Sequence, residues 1–223
     1  IGGSFDYPDG FTEDGITSFE EAMGEESTYF NTSSLSLTTD IVFEQLNQDR
    51  VDPRERTVTA EVDAETETQY SVTETSNLTQ RQYVTTKGVY IQTEQSDGVS
   101  YNFNQNATFN KSQAYSLEFF RRHLQDISFA EVSITDNDTV EYRANIEDQD
   151  SSAPLFEQYS GLNEGSIVLE VNSEGLPVSF SVEVFRDQDA GGRDEDRSVE
   201  VKETYETTFS DFDETEVTEP DWI

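Results

Sequence analysis

The sequence predicts an α+β domain: a single strongly curved antiparallel β-sheet, or half-barrel, with two to three helices on its concave face. Two observations support this fold class. Apolar residues alternate with polar ones along nearly every predicted strand, which is typical of an antiparallel sheet with one covered and one solvated face. Only two or three segments have helical periodicity, too few to cover both faces of a parallel sheet. The 223 residues suffice for one substantial core, and no internal repeat divides them.

The chain is predicted to begin with an extended arm, residues 1–15, followed by a single domain, residues 16–223. The arm contains a turn signal at Pro8-Asp9-Gly10. A short helix should follow, because Thr17 or Ser18 can cap it and Glu20 or Glu21 stands three residues later, which is the spacing of a capping box.

The second predicted helix has the clearest periodicity. Ser112 can cap it, and bulky apolar residues recur along it at intervals of three and four. Phe119 and Phe120 point about 100° apart. We therefore expect one of them to pack on the sheet and the other, with Leu117, to border a space between helix and sheet.

Strands are predicted where the hydrophobic period changes to two. A short helical or irregular piece at Pro154–Tyr159 interrupts them. The stretch Gln82–Glu94 is predicted to be a hairpin that turns at Lys87-Gly88. The predicted strand regions are 35–43, 58–62 with an open continuation to residue 72, 99–103, 130–134, 140–146, 167–171, 178–184 and 199–209.

The composition is strongly acidic. There are 48 Asp and Glu residues against 13 Lys and Arg, which gives a formal net charge of −35. This charge repels phosphates and anionic headgroups, so it argues against binding of nucleic acid or membrane through a basic patch. The acidic residues are dispersed along the chain, and only three residues are lysine. Because concentrated salt screens such self-repulsion, we interpret the chain as halophilic; the alternative is an acidic mesophilic protein that binds calcium.

No enzyme, cofactor or metal site is predicted. The absence of cysteine excludes disulfides and cysteine-ligated metals, and no phosphate-binding loop or nucleophile elbow is present. The single histidine, His123, has no catalytic partner that the sequence identifies, so we interpret it as a helix residue at the edge of the core. The acidic stretch Asp187–Asp196 departs from the pattern of a calcium loop and is interpreted as a solvated hairpin loop.

Glycosylation patterns favour an extracellular location. No run of 18 apolar residues could span a bilayer, and Ile1-Gly2-Gly3-Ser4 does not have the character of a signal peptide. The acceptor patterns for N-glycosylation lead us to expect an exported, surface-exposed protein. The acceptor pattern Asn-x-Ser/Thr occurs at Asn31, Asn77, Asn106, Asn110 and Asn137, more often than the Ser and Thr content alone predicts.

Three stretches resemble known lipoproteins. The segment Tyr7–Thr17, with the sequence YPDGFTEDGIT, resembles the opening of a family of haloarchaeal surface lipoproteins of unassigned function, in which such an arm follows the lipobox cysteine. Gly165–Pro177, with the sequence GSIVLEVNSEGLP, resembles a hairpin of the LolA-like and LppX/LprG-like lipoprotein carriers. Tyr205–Phe212, followed by Val217-Thr218-Glu219-Pro220, is similar to their last strand and terminus.

The resemblance implies a half-barrel whose concave apolar face lies under helices and holds a cavity for acyl chains. It implies a cell-surface lipoprotein domain of a halophilic archaeon. This domain would bind an apolar or amphipathic, lipid-like molecule and would catalyse no reaction. The membrane anchor would be a lipid on a cysteine shortly before Ile1, downstream of an export signal that the full-length gene should encode.

Candidate cavity residues are the apolar positions at which helices and sheet should face each other. Ordinary core packing remains open for each of them. For the whole protein, the alternative is a structural or adhesive surface glycoprotein whose core is filled by its own side chains, with a secreted hydrolase as a third hypothesis. The candidates are Phe19, Met23, Leu117, Phe120, Leu124 and Phe156 on the helical side, and Leu37, Ile41, Val58 and Tyr90 on the sheet.

Overall fold

The computed structural model describes residues 6–46, 51–135, 138–159, 161–189 and 198–223. In this part of the chain, an open antiparallel sheet of 11 strands is accompanied by five short α-helices. The predicted fold class is therefore confirmed as a mostly antiparallel sheet with few helices. The strong curvature of a half-barrel stays a prediction.

Three sequence predictions fall wholly or partly outside the described residues. They concern the first five residues of the arm, the acceptor Asn137, and residues 190–197 of the acidic loop.

The strands follow the alternation that the sequence shows, with cross-strand neighbours on a common face. A small hairpin precedes the main sheet. In chain order, the strands are β1 (Phe11–Thr12), β2 (Gly15–Ile16), β3 (Ser34–Gln45), β4 (Arg54–Asp63), β5 (Thr68–Thr75), β6 (Leu78–Thr85), β7 (Gly88–Gln95), β8 (Gly98–Asn104), β9 (Glu131–Ile134), β10 (Val140–Asn145), β11 (Leu162–Val171), β12 (Pro177–Asp189) and β13 (Ser198–Ser210).

The main sheet consists of two antiparallel meanders joined side by side. Its strand order is β8-β7-β6-β5-β4-β3-β13-β12-β11-β10-β9, so β8 and β9 are the outer strands. Every neighbouring pair is consecutive in sequence except β3 and β13, which come from opposite ends of the chain. At this seam Leu37 lies opposite Phe209, and Ile41 lies opposite Tyr205.

The helices are shorter and more numerous than predicted. The second predicted helix is split, because Ser116 has a left-handed backbone (φ 56°) that ends one helix and begins the next. The helices are α1 (Phe19–Ala22), α2 (Thr28–Asn31), α3 (Lys111–Ala114), α4 (Leu117–Leu124) and α5 (Pro154–Gln158), and a single 3₁₀ turn occupies Ile146–Asp148.

The hydrophobic core lies between the helices and one face of the sheet. Phe120 of α4 is in contact with Phe180 and Phe209, at ring-centroid distances of 5.2 and 5.8 Å. Tyr29 of α2 packs edge-on against Phe120 at 5.5 Å. The core therefore covers β3, β4 and β10–β13, whereas all seven residues of β8 are exposed.

The described part of the predicted arm is docked on this core. Its two-residue strands β1 and β2 pair with Phe11 opposite Ile16. The Phe11 ring is buried and lies 5.3 Å from that of Tyr142. Gly10 has φ +80°, and a Cβ there would lie 2.4 Å from the backbone nitrogen of Ala22, so the turn requires glycine.

Candidate functional site

A partly open cleft of about 290 Å³ lies between the helices and the sheet. Its floor consists of residues from β3, β4 and β13, with one from β5, and its roof is formed by α3, α4 and the Ser116 junction. The lining residues are Leu37, Thr39, Ile41, Arg56, Val58, Ala60, Gln69, Tyr205, Thr207 and Phe209 below, and Gln113, Ala114, Ser116, Phe119 and Phe120 above.

The roof is positioned by local capping and by aromatic packing. The Asn110 side chain accepts a hydrogen bond from the Gln113 backbone N–H at 3.0 Å and so starts α3. In α4, Phe120 is fully buried against the sheet, while Phe119 contacts the ring of Tyr205 at 5.6 Å. Both phenylalanines line the cleft, and Leu117 does not.

The lining is mainly apolar, with a few uncharged polar groups and one charge. Thr39 and Thr207 face each other across the β3–β13 seam, and their hydroxyl oxygens are 2.9 Å apart, so one hydroxyl donates a hydrogen bond to the other. Arg56 is the one charged residue of the lining. Its guanidinium forms no ion pair with a described residue. The cleft can therefore hold an apolar group and offers one cation to a polar end.

Charge is distributed unequally between the two faces of the sheet. We call the face that bears Leu37 and Tyr205 the covered face, and the face that bears Asp40 and Glu206 the opposite face. Because cross-strand partners share a face, the registers assign every paired strand position to one of them. Among the described strands, Glu203 is the only acidic residue on the covered face. Among the described strands, the cleft thus lies on the face where Glu203 is the single carboxylate.

Glu203 is neutralised beside the cleft by a buried ion pair. Its Oε1 accepts a hydrogen bond from Nε of Arg186 at 2.7 Å, and its Oε2 accepts one from the Tyr205 hydroxyl at 3.2 Å. Burial raises the pKa of Tyr205, and the Glu203 carboxylate raises it further. The tyrosine therefore stays protonated and holds its ring in place as part of the floor.

His123 lies next to the cleft, and its polar contacts hold α4 in place. Its Nδ1 lies 2.7 Å from the Phe119 carbonyl oxygen and therefore donates, which leaves Nε2 to accept from the Tyr159 hydroxyl at 3.0 Å. The side chain is buried within the core, against Phe180. Burial lowers the pKa of His123 from 6.5 to about 4, with a further lowering by Arg122 and an opposing effect of the Phe119 carbonyl. The histidine holds the helix, and its ring packs at 4.3 Å on Phe119 of the cleft lining.

We expect the imidazole of His123 to remain neutral down to about pH 4. Between pH 6.5 and 4 the unfolded chain binds a proton that the folded chain does not, so this residue's contribution to stability is lost as the pH falls. Lowering the pH from above 6.5 to about 4 should therefore reduce the free energy of unfolding by about 3 kcal/mol through this residue. Because His123 is the only histidine, one NMR resonance reports its titration. A midpoint near 6.5 would contradict the buried geometry, and His123→Gln should remove this component of the pH dependence.

The structure brings four of the ten candidate residues into the cleft, namely Leu37, Ile41, Val58 and Phe120. Whether they contact a ligand stays a prediction. Five others pack within or against the hydrophobic core away from the cleft lining: Phe19, Met23, Leu117, Leu124 and Phe156.

Tyr90 requires a correction. The register places it opposite Tyr83 and Phe103, and Tyr83 lies opposite Tyr70, which in turn faces Glu61. This row belongs to the opposite face. Tyr90 therefore cannot line a cleft under the helices.

Several lining residues were not anticipated from the sequence. Tyr205 and Phe209 alternate along the strand predicted at 199–209, but that strand was not assigned to the cavity, because the alternation does not show that it lies beside β3. The sequence did not identify Thr39 or Thr207 as cleft residues, because threonines occur on both faces of the strands.

The acceptor asparagines of the described residues are all exposed. They are Asn31, Asn77, Asn106 and Asn110, and their glycosylation stays a prediction. The Asn31 amide donates to the Ser27 carbonyl at 2.9 Å. Within the described ranges, no group of three or more His, Asp or Glu side chains could hold a metal ion, and no helix is long and apolar enough to cross a membrane.

No protein-family profile and no curated protein matches the sequence. Solved structures give weak likenesses. A DUF1329 family protein from Desulfovibrio piger is 6% identical, with a TM-score of 0.28 over 86% of this chain and 89% of that one. A beta-barrel-like DUF1849 protein from Brucella abortus is 8% identical, with a TM-score of 0.29 over 81% and 99%. A domain described as outer membrane lipoprotein-sorting from Vibrio parahaemolyticus is 10% identical, with a TM-score of 0.28 over 86% and 89%. Likeness at this level does not assign the chain to a family.

Proposed function

We propose that this protein is a non-enzymatic binding domain for an apolar or amphipathic, lipid-like molecule. The observation that carries the proposal is the cleft of about 290 Å³, which is lined mainly by apolar side chains in a chain of net charge −35. Clefts of this kind, with few polar groups, are typical of small-molecule sites, whose volumes begin at roughly 300 Å³. The cleft has the size for one acyl chain and not for a bulky ligand.

Binding would depend on transfer of hydrocarbon from water into the cleft. Each buried methylene contributes about 0.8 kcal/mol. The rings of Phe119, Phe120 and Phe209 and the side chains of Leu37 and Ile41 provide the apolar contacts.

Arg56 favours an amphipathic ligand with an anionic end. Its side chain is exposed, lines the cleft and has no carboxylate partner among the described residues. The acidic residues of the neighbouring strands point to the opposite face, so they do not compete for it. A carboxylate or phosphate at the end of an acyl chain would be the missing partner.

Replacing Val58 by tryptophan is expected to fill the cleft and abolish uptake of a fluorescent fatty acid. Val58 is half-buried on the floor beside open space, so the larger ring should lower the melting temperature little. In a filled core, the same overpacking would cost about 1–3 kcal/mol. Fluorescence titration and thermal unfolding measure the two effects.

Thr59 provides the matched control. It is the next residue of β4, exposed on the opposite face, so Thr59→Trp should leave uptake unchanged. Lack of uptake by the parent protein, or equal loss in both variants, would overturn the proposal.

A structural or adhesive surface glycoprotein is the second candidate. It is favoured by the exposure of the four described acceptor asparagines and by the dense aromatic packing around Tyr29 and Phe120. This function predicts a stable parent protein that extracts no lipid and takes up no fatty acid.

We place the domain at the surface of a halophilic cell, held by a lipid anchor upstream of Ile1. The acceptor patterns and the net charge of −35 support this localisation. The carboxylate-rich exterior would keep the domain soluble in brine, while the covered face binds the ligand.

A further inference from the structure

The outer strand β8 is an unprotected edge. All seven of its residues, Gly98–Asn104, are exposed. Val99, Tyr101 and Phe103 have exposed fractions of 51%, 63% and 47%, which are large for apolar side chains in a soluble domain. Proteins normally protect such an edge with charges, proline, a bulge or a short strand, because its free N–H and C=O groups can pair with another chain.

β8 has none of these protections. Its sequence GVSYNFN contains no charged residue and no proline, although the chain has 48 acidic residues. The other outer strand, β9, follows the usual rule, since it has only four residues and includes Glu131. On the neighbouring strand, the carboxylate nearest to β8 is Glu94, opposite Val99, and it is paired with Arg81 at 3.1 Å.

The backbone of β8 presents its hydrogen-bonding groups in a regular order. The β7–β8 hairpin closes with Gln95 opposite Gly98 around a two-residue turn. In an antiparallel ladder, hydrogen-bonded and non-hydrogen-bonded pairs alternate from that closing pair. The N–H and C=O groups of Val99, Tyr101 and Phe103 therefore point away from β7 toward solvent.

The same three residues form an apolar row on the opposite face. The Phe103 ring packs on Tyr90 at 4.6 Å, and Tyr101 is 6.4 Å from the indole of Trp222. Free backbone groups and apolar side chains thus coincide on one strand.

We infer that β8 pairs with β8 of a second copy of this chain, antiparallel about a two-fold axis at Tyr101. In that register Val99 lies opposite Phe103 of the partner subunit, and Tyr101 lies opposite its counterpart. All three are positions with outward N–H and C=O groups, so the strand is complementary to itself. The apolar rows of both copies continue on one face, where Trp222 extends each of them.

The charge of the chain favours a second copy over a foreign peptide as the partner of β8. A chain of net charge −35 attracts cationic partners through carboxylates, and β8 offers none. Association between copies requires the opposite property, a segment at which two strongly acidic molecules meet without opposed carboxylates. Among the 11 described strands of the main sheet, only β6 and β8 contain no acidic residue, and β6 is internal to the sheet.

Sedimentation of the full chain in molar NaCl tests the inference. The parent protein should dimerise, and Val99→Lys should weaken dimerisation by at least about tenfold, because a lysine on an edge strand opposes pairing. Ile134→Lys on β9 is the matched control, since Ile134 is also 51% exposed, and it should leave the dimer unchanged.

Amide hydrogen exchange gives a second readout that needs no variant. The outward amides of Val99, Tyr101 and Phe103 should be protected at high protein concentration and exchange freely on dilution. A parent protein that stays monomeric, or a dimer equally sensitive to both lysine substitutions, would overturn the inference. So would a dimer whose outward amides exchange freely, and this last result would indicate another interface.

Discussion

Replacing Arg186 by methionine is expected to lower the free energy of unfolding by about 3–5 kcal/mol. Glu203 is 8% exposed on the covered face, and its carboxylate accepts its charge-assisted hydrogen bonds from Arg186. Without the guanidinium, the Tyr205 hydroxyl is the only donor to that carboxylate among the residues that the structure describes. The remaining charge is then buried without compensation. Denaturant unfolding in molar salt measures the change.

Two further variants separate two effects on the free energy of unfolding: that of breaking the Arg186–Glu203 ion pair and that of the intact pair. The double variant Arg186→Met/Glu203→Leu should recover most of the stability, because no unpaired charge is left. Arg143→Met, which removes the exposed pair with Glu141, should cost only about 0–1 kcal/mol. If Arg186→Met and Arg143→Met had similar small effects, the buried pair would not stabilise the floor of the cleft.

The strands could be predicted from the sequence because a sheet with one covered face leaves a local pattern. Leu35, Leu37, Ile41 and Phe43 alternate with polar residues, and the structure places all four on the covered face of β3. The seam between β3 and β13 could not be predicted in the same way. Its partners come from opposite ends of the chain, and both strands have the same alternation as every other strand.

The cleft was only partly predictable, since periodicity divides a strand into two faces without saying which face the helices cover. Tyr90 shows the difficulty. In β7, Tyr90 and Ile91 are adjacent bulky residues on different faces, and either could pack in a core. Only the pairing of Tyr90 with Tyr83 and Phe103 assigns it to the opposite face. In α4, the adjacent pair Phe119 and Phe120 led us to expect one ring on the sheet and the other beside a space with Leu117. Both rings instead contact strand residues and line the cleft, and Leu117 does not line it.

The distribution of carboxylates also emerges only from the registers. In the sequence the acidic residues are evenly dispersed. In the sheet, several acidic residues of the opposite face lie directly across from one another: Asp40 opposite Glu206, Glu141 opposite Glu170, and Asp187 opposite Glu200. Like charges at such positions destabilise a sheet by about 0.2–1 kcal/mol for each pair. This repulsion therefore acts on the opposite face, and the covered face has no such opposed pair among the described strands.

Folding is therefore expected to require molar salt. At about 1 M the Debye length is about 3 Å, shorter than the separation of cross-strand side chains, whereas at about 0.1 M it is about 10 Å and repulsion spans several strands. With a net charge of −35, dilution of NaCl toward about 0.1 M should cause cooperative loss of secondary structure. Circular dichroism along a dilution series measures the midpoint salt concentration.

The opposed pairs predict which substitutions shift that midpoint. Glu206→Gln removes the repulsion with Asp40 and should lower the salt concentration needed for folding, since the remaining Asp40 carboxylate still accepts a hydrogen bond from Thr57 at 2.6 Å. Glu61→Gln removes the same charge from a position that faces Ser36 and Tyr70, and it should shift the midpoint less. Equal shifts would mean that net charge alone sets the salt requirement. A parent protein with an unchanged melting temperature at low salt would contradict the requirement itself.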